Sequence, residues 1–235
     1  MDIRVGTSGW SYKEWKGVFY PADLSSDDML RYYASRLPTV EINNSFYRIP
    51  KEKVLLDWAT QVPPEFRFVL KASRRITHIS RLADEDDSLA YFMRTVNVLG
   101  QQLGPTLFQC PPSLRLDLPR LESFLDRVPR TWRAAMEFRH TSWFTDQVYE
   151  LLRAHDVALV AVDEDESEGS GAPLVPTATW GYLRLRRTDY DEAALTSWVE
   201  RIRSQPWREA YTFLKHDEDK PTGPDAATKM RALVG

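Results

Sequence analysis

Residues 134–162 read AAMEFRHTSWFTDQVYELLRAHDVALVAV and contain a complete strand, helix and strand unit. Residues 134–138 and 157–162 are short, β-rich runs, whereas residues 143–154 repeat their apolar side chains with the period of a helix. A helix between two strands in this order indicates parallel strands joined by a crossover helix. This segment therefore predicts one unit of an α/β fold.

The same alternation recurs throughout the chain of 235 residues. Strands are predicted at residues 3–7, 39–43, 66–72, 105–110, 134–138, 157–162, 181–186 and 210–215. Helices are predicted at residues 29–37, 51–61, 89–103, 118–128, 143–154, 191–204 and 224–234. Residues 163–179, which are acidic and rich in Gly, Pro and Ser, stand where the sixth helix belongs. The pattern predicts a single-domain (β/α)8 TIM barrel over residues 1–235 with a degenerate sixth helix, and a doubly wound open sheet is the alternative.

The composition excludes several classes of protein. Lys and Arg number 31 against 34 Asp and Glu, and this net charge of -3 argues against a broad face for duplex nucleic acid. Cys110 is the only cysteine, which excludes an intrachain disulfide and a cysteine-cluster zinc site. No apolar stretch approaches the roughly 18 residues of a membrane span, and residues 1–4 lead directly into a strand. We therefore expect a cytoplasmic protein with no signal peptide and no membrane partner.

The two faces of each predicted strand differ in polarity. In a barrel strand one face packs under the helices and the other fills the lumen. In the second strand Val40 and Ile42 are the apolar pair, which leaves Glu41 and Asn43 pointing inward. The same reasoning predicts further inward polar side chains at Arg4, Lys71, Gln109, Glu137, Arg139, Tyr182, Arg184 and Arg186.

Charges inside a barrel are costly unless they are paired or serve a ligand. One interpretation is a buried network of ion pairs, for example Glu41 with Arg4 or Lys71, and Glu137 with Arg184. The other is that the positive excess binds an anionic group at the C-terminal mouth, where barrel active sites lie. The second interpretation makes a small anionic ligand the expected partner.

Five segments after the predicted strands carry a joint signature. They are GTSGWSY at residues 6–12, EINNSFYRIP at 41–50, FVLKASRRITH at 68–78, LGPTLFQCPP at 103–112 and EFRHTSW at 137–143. In this order they resemble the YecE-like family, a domain of unknown function with a TIM-barrel fold. The resemblance implies the barrel and the position of its site, but it implies no established reaction.

The resemblance is weaker beyond residue 163. Arg186 and Arg187 follow Leu185 where the family pattern leads us to expect a His-Gly-like end to the seventh strand. His216 and Asp217 follow Lys215 where we expect an Asn pair.

These observations predict a functional mouth and an enzyme acting on a phosphate- or carboxylate-bearing metabolite or nucleotide, with hydrolase, lyase and isomerase as open classes. The predicted catalytic residues are Glu41, Lys71 and Glu137. The predicted substrate-binding residues are Ser8, Trp10, Asn43, Tyr47, His78, Gln109, Arg139, His140 and Trp143. Lys71 at a strand end is also compatible with Schiff-base chemistry, since its pKa depends on the balance between arginine neighbours and Glu41.

Three alternatives stay open. The aromatic side chains near the mouth are compatible with a non-enzymatic module that binds nucleotides or single-stranded nucleic acid. Glu41 and Glu137 suit a glycosidase if their carboxyl groups lie about 5–9.5 Å apart. A divalent-metal-dependent isomerase or nuclease-like barrel would draw its ligands from Glu41, His78, Glu137, His140 and Asp163. No GxGxxG, P-loop or GxSxG motif occurs, so the sequence identifies no cofactor, and it leaves the oligomeric state open.

Overall fold

Eight parallel strands, each hydrogen-bonded to the next along the chain, close into a barrel in the computed structural model. The structure describes residues 1–83, 87–165, 171–215 and 222–235. The strands are β1 (Asp2–Ser8), β2 (Thr39–Ile42), β3 (Arg67–Lys71), β4 (Leu103–Gln109), β5 (Ala134–Glu137), β6 (Ala158–Asp163), β7 (Trp180–Leu185) and β8 (Glu209–Leu214). Because β8 pairs with β1, the sheet has no free edge. The predicted TIM barrel is confirmed, and the open-sheet alternative is wrong.

Seven α-helices surround the described part of the barrel. They are α1 (Met29–Ala34), α2 (Glu52–Thr60), α3 (Ser88–Val96), α4 (Leu118–Arg127), α5 (Asp146–Ala154), α6 (Glu192–Arg203) and α7 (Gly223–Val234). The described residues between β6 and β7, which are 164–165 and 171–179, form no helix. The predicted loss of the sixth helix holds for these residues, while residues 166–170 of that acidic segment lie outside the described residues.

Two helices differ from their predicted bounds for local physical reasons. The helix predicted to start at Trp143 starts instead at Asp146, because the Thr145 hydroxyl accepts the Val148 amide as an N-cap. The third predicted helix ends at Val96 and continues only as a 3₁₀ segment, within which Gly100 adopts a φ of 53°. A left-handed residue of this kind cannot continue an α-helix.

The apolar interior has two layers separated by the sheet. Outward side chains such as Val40, Phe68 and Phe108 pack under the helices in the larger layer. The smaller layer fills the barrel and includes Val69, Leu107, Ala135, Val160, Val162, Tyr182, Tyr211 and Phe213. The inward polar side chains at the strand ends therefore lie above an apolar floor.

Arg4 lies at the N-terminal end of the barrel. Its Nε donates to Glu209 at 2.7 Å, and its Nη2 lies 2.8 Å from Asp2. Arg133 also pairs with Glu209, which completes a polar cluster at this end. The expected pairing of Arg4 with Glu41 is therefore wrong, because Arg4 lies near the start of β1 whereas Glu41 lies near the end of β2.

Within residues 1–83, 87–165, 171–215 and 222–235, every helix is too short or too polar to span a membrane.

Candidate functional site

Glu41 is fully buried and accepts hydrogen bonds from side chains on two strands and one loop. Oε1 accepts from Ser8 Oγ at 2.8 Å, Asn43 Nδ2 at 2.9 Å and Arg184 Nη2 at 2.8 Å. Oε2 accepts from the Tyr182 hydroxyl at 2.6 Å. A carboxylate offers about four acceptor positions, and four donors surround this one, so most of its hydrogen-bonding capacity is used within the protein.

Glu137, at the end of β5, is also fully buried and accepts three hydrogen bonds. Gln109 Nε2 and Arg139 Nε donate to Oε1 at 2.8 Å and 2.7 Å. Arg184 Nη1 donates to Oε2 at 2.8 Å. Two of these donors are guanidinium groups, which form the strong, charge-assisted class of hydrogen bond.

Arg184 joins the two carboxylates across the lumen. Its two terminal nitrogens each bind one glutamate, and its own side chain is almost completely buried. Burial alone would raise the pKa of Glu137, but Arg184 and Arg139 outweigh it and lower that pKa to about 2. The pKa of Glu41 is lowered for the same reason, with Arg184 as the main counterion. The predicted pair of Glu137 with Arg184 is confirmed, whereas Glu41 pairs with Arg184 rather than with Lys71.

Lys71, the last residue of β3, contacts uncharged side chains, whereas Glu41 and Glu137 contact guanidinium groups. Its Nζ donates to Gln109 Oε1 at 2.7 Å and lies 4.2 Å from the ring centre of Phe46. Burial lowers the pKa of Lys71 to about 8, and the positive charge of Arg184 acts in the same direction. The two buried glutamates raise that pKa only in part. At neutral pH a fraction of Lys71 is therefore in the neutral amine form.

A cavity of about 300 Å³ opens above these residues. Its lining consists of Ser8, Tyr12, Asn43, Lys71, Gln109, Arg139, Arg184, Arg186 and Lys215. Arg186 has a buried Nε without a hydrogen-bond partner in the described part of the chain, and burial together with Arg184 lowers its pKa. A buried polar nitrogen without a hydrogen-bond partner is costly unless a ligand atom accepts its proton.

Two further cavities adjoin the central one. A cavity of about 460 Å³ shares Gln109 and Arg139 with it and is also lined by His78 and Glu164. A cavity of about 530 Å³ shares Tyr12 and Asn43 with it and contains Trp10. The cationic cavity thus shares lining residues with two larger cavities at the mouth.

His78 lies on a π-helical turn, Arg75–Ile79, which follows β3. Its Nδ1 contacts Thr77 Oγ1 at 2.9 Å, and its ring packs edge-on against Phe46. Burial and the charge of Lys71 lower the pKa of His78, so the imidazole is neutral at pH 7. It faces the side cavity rather than the central one.

Besides His78, four predicted substrate-binding residues do not line the central cavity. Trp10 faces the side cavity, and Tyr47 is 73% exposed on an outer groove. His140 caps the short turn Thr141–Trp143 by accepting the Ser142 amide. Trp143 is fully buried, stacks on Phe138 and donates to the Leu114 carbonyl, so it presents no surface to a ligand.

The residues predicted for a metal site are not gathered. The Asp163 carboxylate accepts hydrogen bonds from Tyr190, Trp198 and Arg187. His140 caps the turn Thr141–Trp143. Among the described residues, no group of three or more His, Cys, Asp or Glu side chains has metal-binding geometry. The proposed ligand set is therefore wrong as a set.

The structure adds residues that the sequence-based site omits. They are Tyr12, Tyr182, Arg184, Arg186 and Lys215. The period-two pattern of β7 already predicts three of them to be inward, but the resemblance is weak there. His216 and Asp217 lie outside the described residues.

The closed barrel and its polar, cation-lined mouth define this chain as a TIM-barrel protein with a candidate ligand site at the C-terminal ends of its strands. A family model described as "Protein of unknown function DUF72" matches residues 4–235. The chain belongs to this family, and the resemblance on the sequence motifs is thereby confirmed.

Curated relatives carry names without an activity. The chain is 31% identical to UPF0759 protein YecE of Escherichia coli over 143 residues, which are 60% of this chain and 50% of that protein. It is 25% identical to UPF0759 protein YunF of Bacillus subtilis over 242 residues, covering 93% of this chain and 80% of that protein. The match to YecE thus spans only half of that relative's length.

Solved structures share the barrel. A DUF72 family protein of Thermotoga maritima (TM1631) superposes with a TM-score of 0.85 at 27% identity, covering 100% of this chain and 99% of that one. A DUF72 family protein of Enterococcus faecalis (EF0366) superposes with a TM-score of 0.82 at 20% identity, covering 99% and 95%. The second likeness is one of fold alone.

Proposed function

We propose that the central cavity binds a small carboxylate- or phosphate-bearing metabolite and that the protein is an enzyme acting on it. The observation that carries the proposal is the charge balance at the mouth. Lys71, Arg139, Arg184 and Arg186 line one cavity, whereas the carboxylates of Glu41 and Glu137 are already bound below it. Arg139 and Arg184 are paired with these glutamates, whereas Lys71 and Arg186 have no carboxylate partner among the described residues, and a cavity lined by an excess of one charge favours a ligand of the opposite charge.

Arg186 and Arg139 are the anion-binding groups in this proposal. The guanidinium of Arg186 has no ion pair within the described residues, and the Arg139 side chain retains 30% exposure while its Nε binds Glu137. Glu164 lies 4.0 Å from Arg139 Nη1, at the edge towards the side cavity, and offsets only part of the positive charge. Guanidinium groups suit carboxylate and phosphate oxygens because they donate two parallel hydrogen bonds.

Proton transfer falls to Lys71 rather than to the glutamates. Both glutamates are held ionised, and their oxygens already accept hydrogen bonds from several donors. A general acid or base works best when its pKa lies near the operating pH, and the pKa of Lys71 is about 8. Glu41 and Glu137 then orient Arg184 and Gln109, which in turn position the cavity surface.

A ligand screen by thermal denaturation tests anion binding. We expect phosphate, sulfate or pyruvate at constant ionic strength to raise the melting temperature, since a ligand stabilises the state that binds it. Arg186→Ala should weaken that stabilisation about tenfold in apparent affinity. Arg31→Ala, which removes an exposed ion pair with Asp28, is the matched control and should bind as the wild type does.

Several results would reject this function. Equal stabilisation by neutral sugars, or an equal response of the Arg31→Ala and Arg186→Ala variants, would show that the cavity does not select an anion. Strong stabilisation by Mg²⁺, Mn²⁺ or Zn²⁺ without an anion would favour a metal site instead. Turnover is tested by depletion of compounds from a metabolite mixture, with Lys71→Met as the inactive variant.

A further inference from the structure

The geometry points to Lys71 as a nucleophile that forms a Schiff base with the carbonyl group of an aldehyde or keto acid. This inference rests on the proposed function, because Arg186 and Arg139 must hold the carboxylate of such a compound. It adds a substrate class, namely compounds in which a carbonyl group lies next to the anionic group. A lysine used in this way needs an accessible neutral amine, an anion site nearby and room for the carbonyl.

The partners of Lys71 leave its amine free to lose a proton. Nζ contacts the neutral Gln109 amide and the face of Phe46, and no described carboxylate lies within ion-pair distance. The two carboxylates at this end of the barrel bind Arg184 instead. The pKa of about 8 that follows from burial and the arginine charges agrees with this arrangement.

The position of Lys71 also suits attack on a bound acid. It ends β3 and lines the same 300 Å³ cavity as Arg139 and Arg186. A carboxylate bound by those guanidinium groups places its adjacent carbonyl carbon within the same small space. The polar contact of the Lys71 amine is with the neutral Gln109 amide, so no ion pair has to break before the amine reacts.

The step balances without a further reagent. The neutral amine donates its lone pair to the carbonyl carbon, a C–N bond forms, and the oxygen takes up a proton to give a carbinolamine. Loss of that oxygen as water leaves a protonated imine. The sum is one lysine ammonium and one carbonyl compound giving one iminium and one water, so atoms and charge are conserved. The iminium then withdraws electrons from the neighbouring carbon.

The buried Lys71 should react faster than an exposed lysine of the same chain. At pH 7 a group with a pKa of about 8 is roughly one tenth neutral. A lysine with the ordinary pKa of about 10.4 is neutral in fewer than about one in a thousand molecules. Lys53, which is exposed on α2, serves as the internal reference.

Reductive trapping on the full chain tests the inference. Glyoxylate and cyanoborohydride convert an iminium into a carboxymethyl amine, and peptide mass spectrometry locates and quantifies it on each lysine. We expect Lys71 to be modified at least about tenfold faster than Lys53 at pH 7, because burial raises the neutral fraction of Lys71. Lys71→Arg should remove the adduct, whereas the matched Lys53→Arg variant should retain it on Lys71.

Further arms separate this inference from the anion site. Arg186→Ala should slow trapping by glyoxylate but not by propanal, which has no carboxylate. Equal rates at Lys71 and Lys53 would overturn the Schiff-base inference, and the proposed function would stand if phosphate and pyruvate still stabilise the protein. Fast trapping of Lys71 by propanal and glyoxylate alike, with no stabilisation by any anion, would overturn the proposed anion site and the acid substrate class and leave Lys71 as a reactive amine only.

Discussion

Nζ of Lys71 donates to Oε1 of Gln109 at 2.7 Å, although two buried carboxylates lie at the same end of the barrel. The amide is fixed in this orientation because its Nε2 donates to Glu137 at 2.8 Å. Gln109 thus separates the lysine from the nearest carboxylate and offers it a neutral acceptor. The low pKa of Lys71 depends on the uncharged Gln109 amide between it and Glu137 as well as on burial.

Gln109→Glu should therefore raise the pKa of Lys71. A carboxylate at hydrogen-bond distance favours the ammonium form, typically by one to three pKa units. We expect the midpoint of the pH profile of Lys71 trapping to move upward from about 8. Gln109→Met removes the same hydrogen bond without adding a charge, and its midpoint should stay well below that of Gln109→Glu. Equal midpoints for the two variants would contradict the electrostatic role of this position.

Acid should destabilise the protein through Glu137. Its folded-state pKa of about 2 lies below the ordinary 4.5, so its contribution to stability is present above about pH 4.5 and is lost as the pH falls towards 2. Glu137→Gln should flatten the dependence of the free energy of unfolding on pH in this window. Denaturant titrations at a series of pH values measure it, and Asp225→Asn, in an exposed pair with Lys229, should keep the wild-type slope.

Removal of Arg184 should reverse that slope. Arg184→Met leaves two buried carboxylates without their shared cation, which typically costs about 3–5 kcal/mol. The pKa of Glu41, whose remaining donors Ser8, Asn43 and Tyr182 are neutral, would then lie above its ordinary value, whereas Glu137 keeps Arg139. A raised folded-state pKa stabilises below the ordinary pKa and loses that stabilisation as the pH rises through the folded value. The variant should therefore gain stability as the pH falls from 7 to 5.

The matched test for Arg184 is a triple variant. Arg184→Met combined with Glu41→Gln and Glu137→Gln removes the cation together with both carboxylates that it binds, so neither carboxylate is left without Arg184, and the variant should recover part of the lost free energy of unfolding at pH 7. If the single variant keeps the wild-type slope between pH 5 and pH 7, the Glu41 carboxylate does not depend on Arg184 for its ionisation.

Period-two alternation was enough to predict which side chains enter the barrel. Glu41, Lys71, Gln109 and Glu137 all face inward because the opposite face of each strand must pack under helices. Their partners were less predictable. Arg184 is 47 residues from Glu137 and 143 from Glu41, and the contact depends on how far each strand is displaced along the barrel axis. No local pattern encodes that displacement.

Loop residues were the least predictable part of the site. His140 and Trp143 follow β5 directly, which predicts them at the mouth, but a 3₁₀ turn directs them away from it. The direction is set by the His140 cap and by the Trp143 contact with Leu114, which lies 29 residues earlier. A loop side chain has no alternation to constrain it, so only tertiary contacts decide where it points.

Trp143 consequently provides a test of structural against ligand-binding roles. Trp143→Phe removes the hydrogen bond from Nε1 to the Leu114 carbonyl and shrinks a ring stacked 4.4 Å from Phe138. An unpaired buried carbonyl and a partly emptied site should together lower the free energy of unfolding by about 1–3 kcal/mol. The apparent affinity for phosphate or pyruvate should stay at the wild-type value, because the side chain has no exposed surface. Tyr47→Ala, at a side chain that is 73% exposed, should leave the stability nearly unchanged and serves as the control. A loss of anion affinity in Trp143→Phe as large as that in Arg186→Ala would return Trp143 to the ligand site.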